Sequence, residues 1–117
     1  MATTPVGARG EDAAADGYRR RGYRIVARNW RCRLGELDLV AERRGVLVFC
    51  EVKARRGTAA FGGGYEAVTR RKQAKLRAVA EAFLQATGAR PRAIRFDVAS
   101  VALGADRATV EVFEDAF

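Results

Sequence analysis

Three residues carry the strongest chemical signal in this chain: Asp38, Glu51 and Lys53. Glu51 interrupts the most hydrophobic run, Val46-Leu47-Val48-Phe49-Cys50-Glu51-Val52, and Lys53 follows it directly after Val52. Strand side chains alternate faces, so Glu51 and Lys53 point the same way. Asp38 interrupts the preceding apolar stretch, Leu37 to Ala41, in a similar manner. A charge on a buried strand costs stability unless something compensates it. If Arg44-Gly45 forms the hairpin loop, Arg43 pairs with Val46 and Asp38 comes opposite Glu51. Their Cβ atoms would then lie about 4.5–5.5 Å apart on one face. Carboxylates that close repel by roughly 3–4 kcal/mol at an effective dielectric near 20.

Lys53 offsets part of that repulsion. Mg2+ or Mn2+, which favour hard oxygen ligands, would offset it better. Such a cation would hold a phosphate oxygen and a water. Lys53 could orient or deprotonate that water, or stabilise the pentacovalent phosphate. This is the chemistry of metal-assisted phosphodiester hydrolysis. The plainer reading of a Glu-x-Lys pair is a cross-strand salt bridge. Against it, lysine is scarce here: 19 of the 22 basic residues are arginine, and Lys53 stands where an ammonium would serve chemistry.

Composition narrows the alternatives. The chain has 117 residues, no histidine and a formal net charge of +8. Without histidine there is no Ser-His-Asp or Cys-His nucleophile system and no histidine-ligated zinc. Cys32 and Cys50 form no CxxC pair, so a disulfide framework or zinc ribbon is not expected. Met1 to Gly10 lacks the apolar core of a signal peptide, and no apolar run reaches membrane-spanning length. These features predict a soluble, cytoplasmic protein with no membrane partner. The length fits a single domain, residues 1–117, with 1–9 as a loose leader. A basic excess of this size favours a polyanion such as DNA or RNA, although it also serves solubility.

The elements that must position the acids follow from periodicity. A short helix is expected from Gly10, with Glu11 and Asp12 early and Arg19 to Arg21 near its end before Gly22. Tyr23 to Asn29 reads as a strand and Trp30 to Gly35 as a basic connector. The hairpin follows, its second strand central and buried on both faces. Gly57 to Gly64 reads as a loop carrying Phe61. From Glu66 to Thr87 the period becomes helical, with Leu76, Val79, Ala80, Phe83 and Leu84 on one stripe and Gly88 as the stop. Ile94 to Leu103 is another strand, and Thr109 to Phe113 an edge strand. The expected class is α/β, a central mixed sheet flanked by helices in the order α-β-β-β-α-β-β.

Taken as an ordered set, these residues resemble a known family. The block Gly35-Glu36-Leu37-Asp38-Leu39-Val40, with Val48-Phe49-Cys50-Glu51-Val52-Lys53-Ala54-Arg55 after it, looks like the YraN family of uncharacterised bacterial proteins. Gly10-Glu11-Asp12, Gly22-Tyr23, Arg28-Asn29-Trp30-Arg31, Phe61-Gly62, Lys72 and Arg95-Phe96-Asp97-Val98 extend the match from residue 7 to about 113. The resemblance implies the restriction-endonuclease-like fold of the PD-(D/E)XK nucleases. It also implies similarity to archaeal Holliday-junction resolvases, in which an acid on the first helix joins the site. On that basis Asp38, Glu51 and Lys53 match the motif residues and Glu11 the first-helix acid. Glu36 matches the family's GExD segment and is either a ligand or a structural partner. Gln73 lies near the helical Gln of some of these nucleases. Cys50 departs from the usual aliphatic residue, and Gly62–Gly64 is looser than the pattern.

The implied metal ligands are therefore Asp38 and Glu51, with Glu11 and Glu36 beside them. Arg31, Arg33, Arg55, Arg56, Arg70, Arg71, Lys72 and Lys75 could form a phosphate-gripping rim, with Phe61 as an exposed base contact. Trp30 and Tyr23 are stacking candidates that fit a core role better, and Asp97 with Arg95 reads as a structural pair. The expected function is a Mg2+- or Mn2+-dependent endonuclease acting on DNA, branched or single-stranded. The alternative is a non-catalytic nucleic-acid-binding module, or an adaptor in DNA repair, recombination or uptake. Symmetric junction cutting would require a homodimer.

Overall fold

The computed structural model describes residues 5–57 and 68–117. Its elements are α1 (Pro5–Arg20), β1 (Arg24–Cys32), β2 (Gly35–Arg43), β3 (Val46–Arg56), α2 (Arg70–Thr87), β4 (Ala93–Leu103) and β5 (Ala108–Phe113). This is the expected α-β-β-β-α-β-β order. The strands lie side by side in sequence order as one five-stranded mixed sheet. β3 and β4 run parallel, joined through the crossover that contains α2, and the other neighbours are antiparallel.

The hairpin register follows from its turn. Arg44 and Gly45 both take positive φ, 53° and 81°. That is the backbone sense of a type I′ turn, which suits the twist of flanking strands. Arg43 therefore pairs with Val46, and the ladder continues to Leu39 opposite Cys50.

Each helix covers one face of the sheet. Val48 and Cys50 face α1, packing with Ala14, Ala15, Tyr18, Leu39 and Val101. Leu47 and Phe49 face α2, packing with Leu76, Val79, Phe83, Phe96 and Val98. β3 is thus buried on both sides, as its continuous apolar run predicts.

Several boundaries differ from the sequence reading. α1 begins at Pro5, so residues 5–9 are helical rather than leader. Proline suits a first helical position, where its missing N–H costs nothing. Gly10, deep in this helix, crosses β3 so closely that a Cβ would stand 2.4 Å from the Ala54 Cβ. β1 continues through Trp30 to Cys32, where a connector was expected. Trp30 packs edge-on against Phe83, and Tyr23 edge-on against Tyr18, so both are core residues rather than stacking surfaces. α2 starts after Thr69, whose Oγ1 accepts the Lys72 N–H at 3.1 Å as an N-cap.

One polar anchor ties the layers together. Asp97, fully buried, accepts from Tyr18 Oη at 2.7 Å and from Arg95 Nε at 2.9 Å. It also accepts from the backbone N–H of Asp115 at 3.0 Å, which fixes the tail after β5.

Candidate functional site

The strand pairing changes character at Asp38. In β2, Leu37 and Val40 both pack toward α2 while Leu39 packs toward α1, so the period-two alternation breaks across Asp38. On the neighbouring strand the matching position is Asn29, which takes a left-handed φ of 52°. Asparagine tolerates that conformation better than most residues. The β2–β3 ladder ends one step before Asp38 and Glu51 would pair. Instead, the Asp38 carboxylate itself accepts the backbone N–H of Val52 at 2.9 Å.

Asp38 and Glu51 nevertheless line one cleft of about 420 Å³ between the end of β2–β3 and the first turns of α2. Arg31, Cys32, Gly35, Glu36, Lys72, Lys75 and Leu76 complete it. Glu11 reaches the same neighbourhood from α1. It is buried and accepts from Asn29 Nδ2 at 2.9 Å, with the Arg28 guanidinium 3.9 Å away.

The four acids are compensated unequally. Glu36, which also lines the cleft, is paired with Arg31 at 2.6 Å. Glu51 faces the Lys72 ammonium at 3.6 Å. Glu11 has Arg28 and Asn29. Among the described residues Asp38 has no salt-bridge partner; it accepts the Val52 N–H and meets the Glu51 carboxyl. Burial and the Glu51 carboxylate push the Asp38 carboxyl up to about 7, with Glu11 adding to the effect and the Val52 bond opposing it. Burial also raises Glu11 above the ordinary carboxylate range, against the pull of Asn29 and Arg28. A carboxyl held near neutrality by burial and like charge has the electrostatics of a functional site.

Lys53 follows Glu51 on the same face of the regular strand β3. It lines the next recess along β3, with Val52, Ala54 and Arg55, and is not among the residues of the Asp38–Glu51 cleft. The ammonium paired with Glu51, at 3.6 Å, is that of Lys72, a residue the sequence places on the phosphate-gripping rim. Lys75 joins it in the cleft, and Arg70 and Arg71 are exposed in the same first turns of α2. Arg33 is exposed at the β1–β2 turn and Arg56 at the end of β3. Gln73 turns away: its Nε2 donates to the Val68 carbonyl at 2.9 Å, a helix-start contact. Phe61 and the Gly62–Gly64 run lie outside the described residues.

The donor set suits a hard divalent cation, because Asp38 and Glu51 offer carboxylate oxygens and Asp38 lacks a balancing charge. Among the described residues, however, no three Asp, Glu or Cys side chains stand together as one ion's ligands. Two carboxylates completed by water is the arrangement that fits. A residue not singled out for a role by its sequence pattern is Asn29, although it belongs to the Arg28–Arg31 segment of the resemblance. It donates to Glu11, and the tolerance of asparagine for positive φ suits it to that position.

The model of Uncharacterised protein family UPF0102 matches residues 10–101, a span that takes in Glu11, the β2–β3 hairpin and all of α2. A UPF0102 protein of Symbiobacterium thermophilum is 48% identical over 113 residues, covering 96% of this chain and 95% of that one. One from Parafrankia sp. is 51% identical over 92 residues, covering 79% and 77%. One from Rhodococcus jostii is 43% identical over 113 residues, covering 96% and 95%. With the match running through both helices and every side of the cleft, the chain belongs to the uncharacterised protein family UPF0102.

Proposed function

We propose that the protein is a divalent-cation-dependent DNA phosphodiester hydrolase whose site is the Asp38–Glu51 cleft. The observation that carries this reading is the Asp38 carboxylate, half-buried beside Glu51 without a salt-bridge partner of its own, in a cleft that Arg31, Lys72 and Lys75 also line. Internal repulsion of that kind is relieved by a bound cation. A cation there supplies positive charge to a phosphate oxygen and makes water a stronger nucleophile near neutral pH.

The chain's own groups do the rest. Lys75, with Arg70 and Arg71, sits on the exposed start of α2 and would hold phosphates flanking the scissile one. Lys72, 3.6 Å from Glu51, would hold that carboxylate at the cleft. Asn29 and Arg28 hold Glu11 beneath Asp38, maintaining the negative field that draws a cation in. Lys53, from the adjoining recess with Arg55, would steady charge on the phosphate as it leaves the cleft. In the overall reaction water forms a new P–O bond, the bond to one sugar oxygen breaks, and that oxygen takes up the proton water gives up.

The test is incubation with Mg2+ or Mn2+ and linear, flap and four-way-junction DNA. Cleavage lost in Asp38→Asn and Glu51→Gln supports the proposal; no metal-dependent cleavage, or variants as active as wild type, overturns it. A second reading rests on the Glu51–Lys72 ion pair, which supplies an internal counter-charge. On that reading the cleft is a non-catalytic DNA-binding surface, with salt-sensitive binding indifferent to EDTA and to Asp38→Asn.

A further inference from the structure

Among the described residues Leu34 is the most exposed large apolar side chain, with 53% of its surface open. It sits with exposed Arg33 in the turn that joins β1 to β2. The turn is not loose. Cys32 pairs with Gly35 directly beneath it, and the Arg31–Glu36 ion pair closes the next rung at 2.6 Å. Gly35, at φ 150°, packs so tightly on α2 that a Cβ there would meet the Lys75 Cε at 2.9 Å and the Val79 Cγ2 at 3.2 Å. Those same neighbours, Arg31, Cys32, Gly35 and Lys75, line the carboxylate cleft. A rigid apolar tip therefore projects at the mouth of an acidic cleft with a basic rim.

We propose that this tip, Arg33-Leu34, is a wedge that docks where the base stacking of bound DNA is already interrupted. The inference rests on the reading of the cleft as a DNA site. Charge selects the partner: Arg33 adjoins Leu34 and is exposed, and the exposed Lys75 packs on the neighbouring Gly35, while Arg31 and Lys72 offset Glu36 and Glu51 at 2.6 and 3.6 Å, so the mouth beside the tip presents basic groups to a polyanion. Apolar side chains inserted between base steps are a recognised way to hold kinked or unstacked DNA. Magnitude selects the form of DNA. One half-exposed leucine gains too little on burial to separate two stacked base pairs of an intact duplex. It can fill a gap that a nick, mismatch or branch has opened. Leu34 precedes Asp38 by four positions, about 13 Å at strand rise. That distance corresponds to about four base-pair steps along one strand.

The experiment compares binding of the full chain to intact linear duplex, nicked duplex and a four-way junction at fixed low salt, by fluorescence anisotropy. Wild type is expected to favour the interrupted DNAs. Leu34→Ala should lose about fivefold of that preference while leaving linear-duplex affinity and its salt slope unchanged. Leu34→Phe should keep the preference. Ile94→Ala, which removes an apolar side chain 44% exposed at the opposite end of the sheet, should change nothing. An undiminished preference in Leu34→Ala, or an equal loss in Ile94→Ala, overturns the wedge. Cleavage is scored separately on the same DNAs. A wild type that binds with a Leu34-dependent preference yet cuts none of them overturns the hydrolytic reading alone. Failure to bind any of them overturns both.

Discussion

Asp97 on β4 and Asp38 on β2 are carboxylates set into the same sheet, and their surroundings differ in kind. Asp97 receives Tyr18 Oη, two Arg95 nitrogens and the Asp115 N–H, so its charge is matched by a guanidinium within 2.9 Å. Asp38 receives the Val52 N–H and otherwise faces carboxylates. A buried charge that the chain neutralises itself is a fastening. A half-buried charge left beside others of its sign is stable only with help from outside, or with a proton. The contrast separates architecture from chemistry without reference to any ligand.

The largest expected effect tests the Asp97 side. Asp97→Asn leaves Arg95 and Tyr18 facing a neutral amide and should cost about 3 kcal/mol or more, read by urea denaturation. A loss below about 1 kcal/mol would mean the network fastens little. Asp38→Asn should do the opposite. Its carboxyl titrates at about 7 in the folded chain, above the ordinary 3.8. Between those values the folded state holds a proton that the unfolded state releases, so this group's contribution makes stability fall as pH rises. Without metal, Asp38→Asn should therefore be more stable than wild type by about 1–2 kcal/mol near pH 8. The advantage should fade toward pH 4, as melting curves across the range would show.

Lys72→Ala sharpens the comparison by removing the one ammonium on Glu51. It should destabilise by roughly 0.5–1 kcal/mol, as the pair is partly exposed. It should also weaken DNA binding and reduce its salt slope by about one. Lys53→Ala, in the neighbouring recess, should leave stability within about 0.5 kcal/mol and act on cleavage instead. If Lys53→Ala rather than Lys72→Ala unsettled the cleft, the two lysines would have been placed in the wrong roles.

Much of this was legible in the residues. The unbroken apolar run Val46–Cys50 announced a strand buried twice, and Arg44-Gly45 fixed the register that brings Asp38 toward Glu51. The helical stripe from Leu76 to Phe83 faces the sheet as its spacing requires. What the pattern hid were the irregularities. Strict alternation put Asp38 in a ladder pair with Glu51, whereas left-handed Asn29 and the end of the ladder turn Asp38 onto Val52. Alternation put Glu51 and Lys53 on one face of β3, and its regular register keeps them there; what it did not announce is the second lysine, Lys72, brought to Glu51 from α2 by a tertiary contact that no local spacing encodes. The helical start at Pro5 was masked by the mixed character of Val6-Gly7-Ala8-Arg9. Each of these depends on contacts between elements distant in sequence.

The most direct test is calorimetric titration of Mn2+ into the wild-type chain and into the Asp38→Asn, Glu51→Gln double variant, in two buffers of different ionisation enthalpy. Wild type should bind the ion and release protons near pH 7 as Asp38 ionises, and the double variant should bind none. Equal binding by both, or none by either, would contradict a cation site at this cleft.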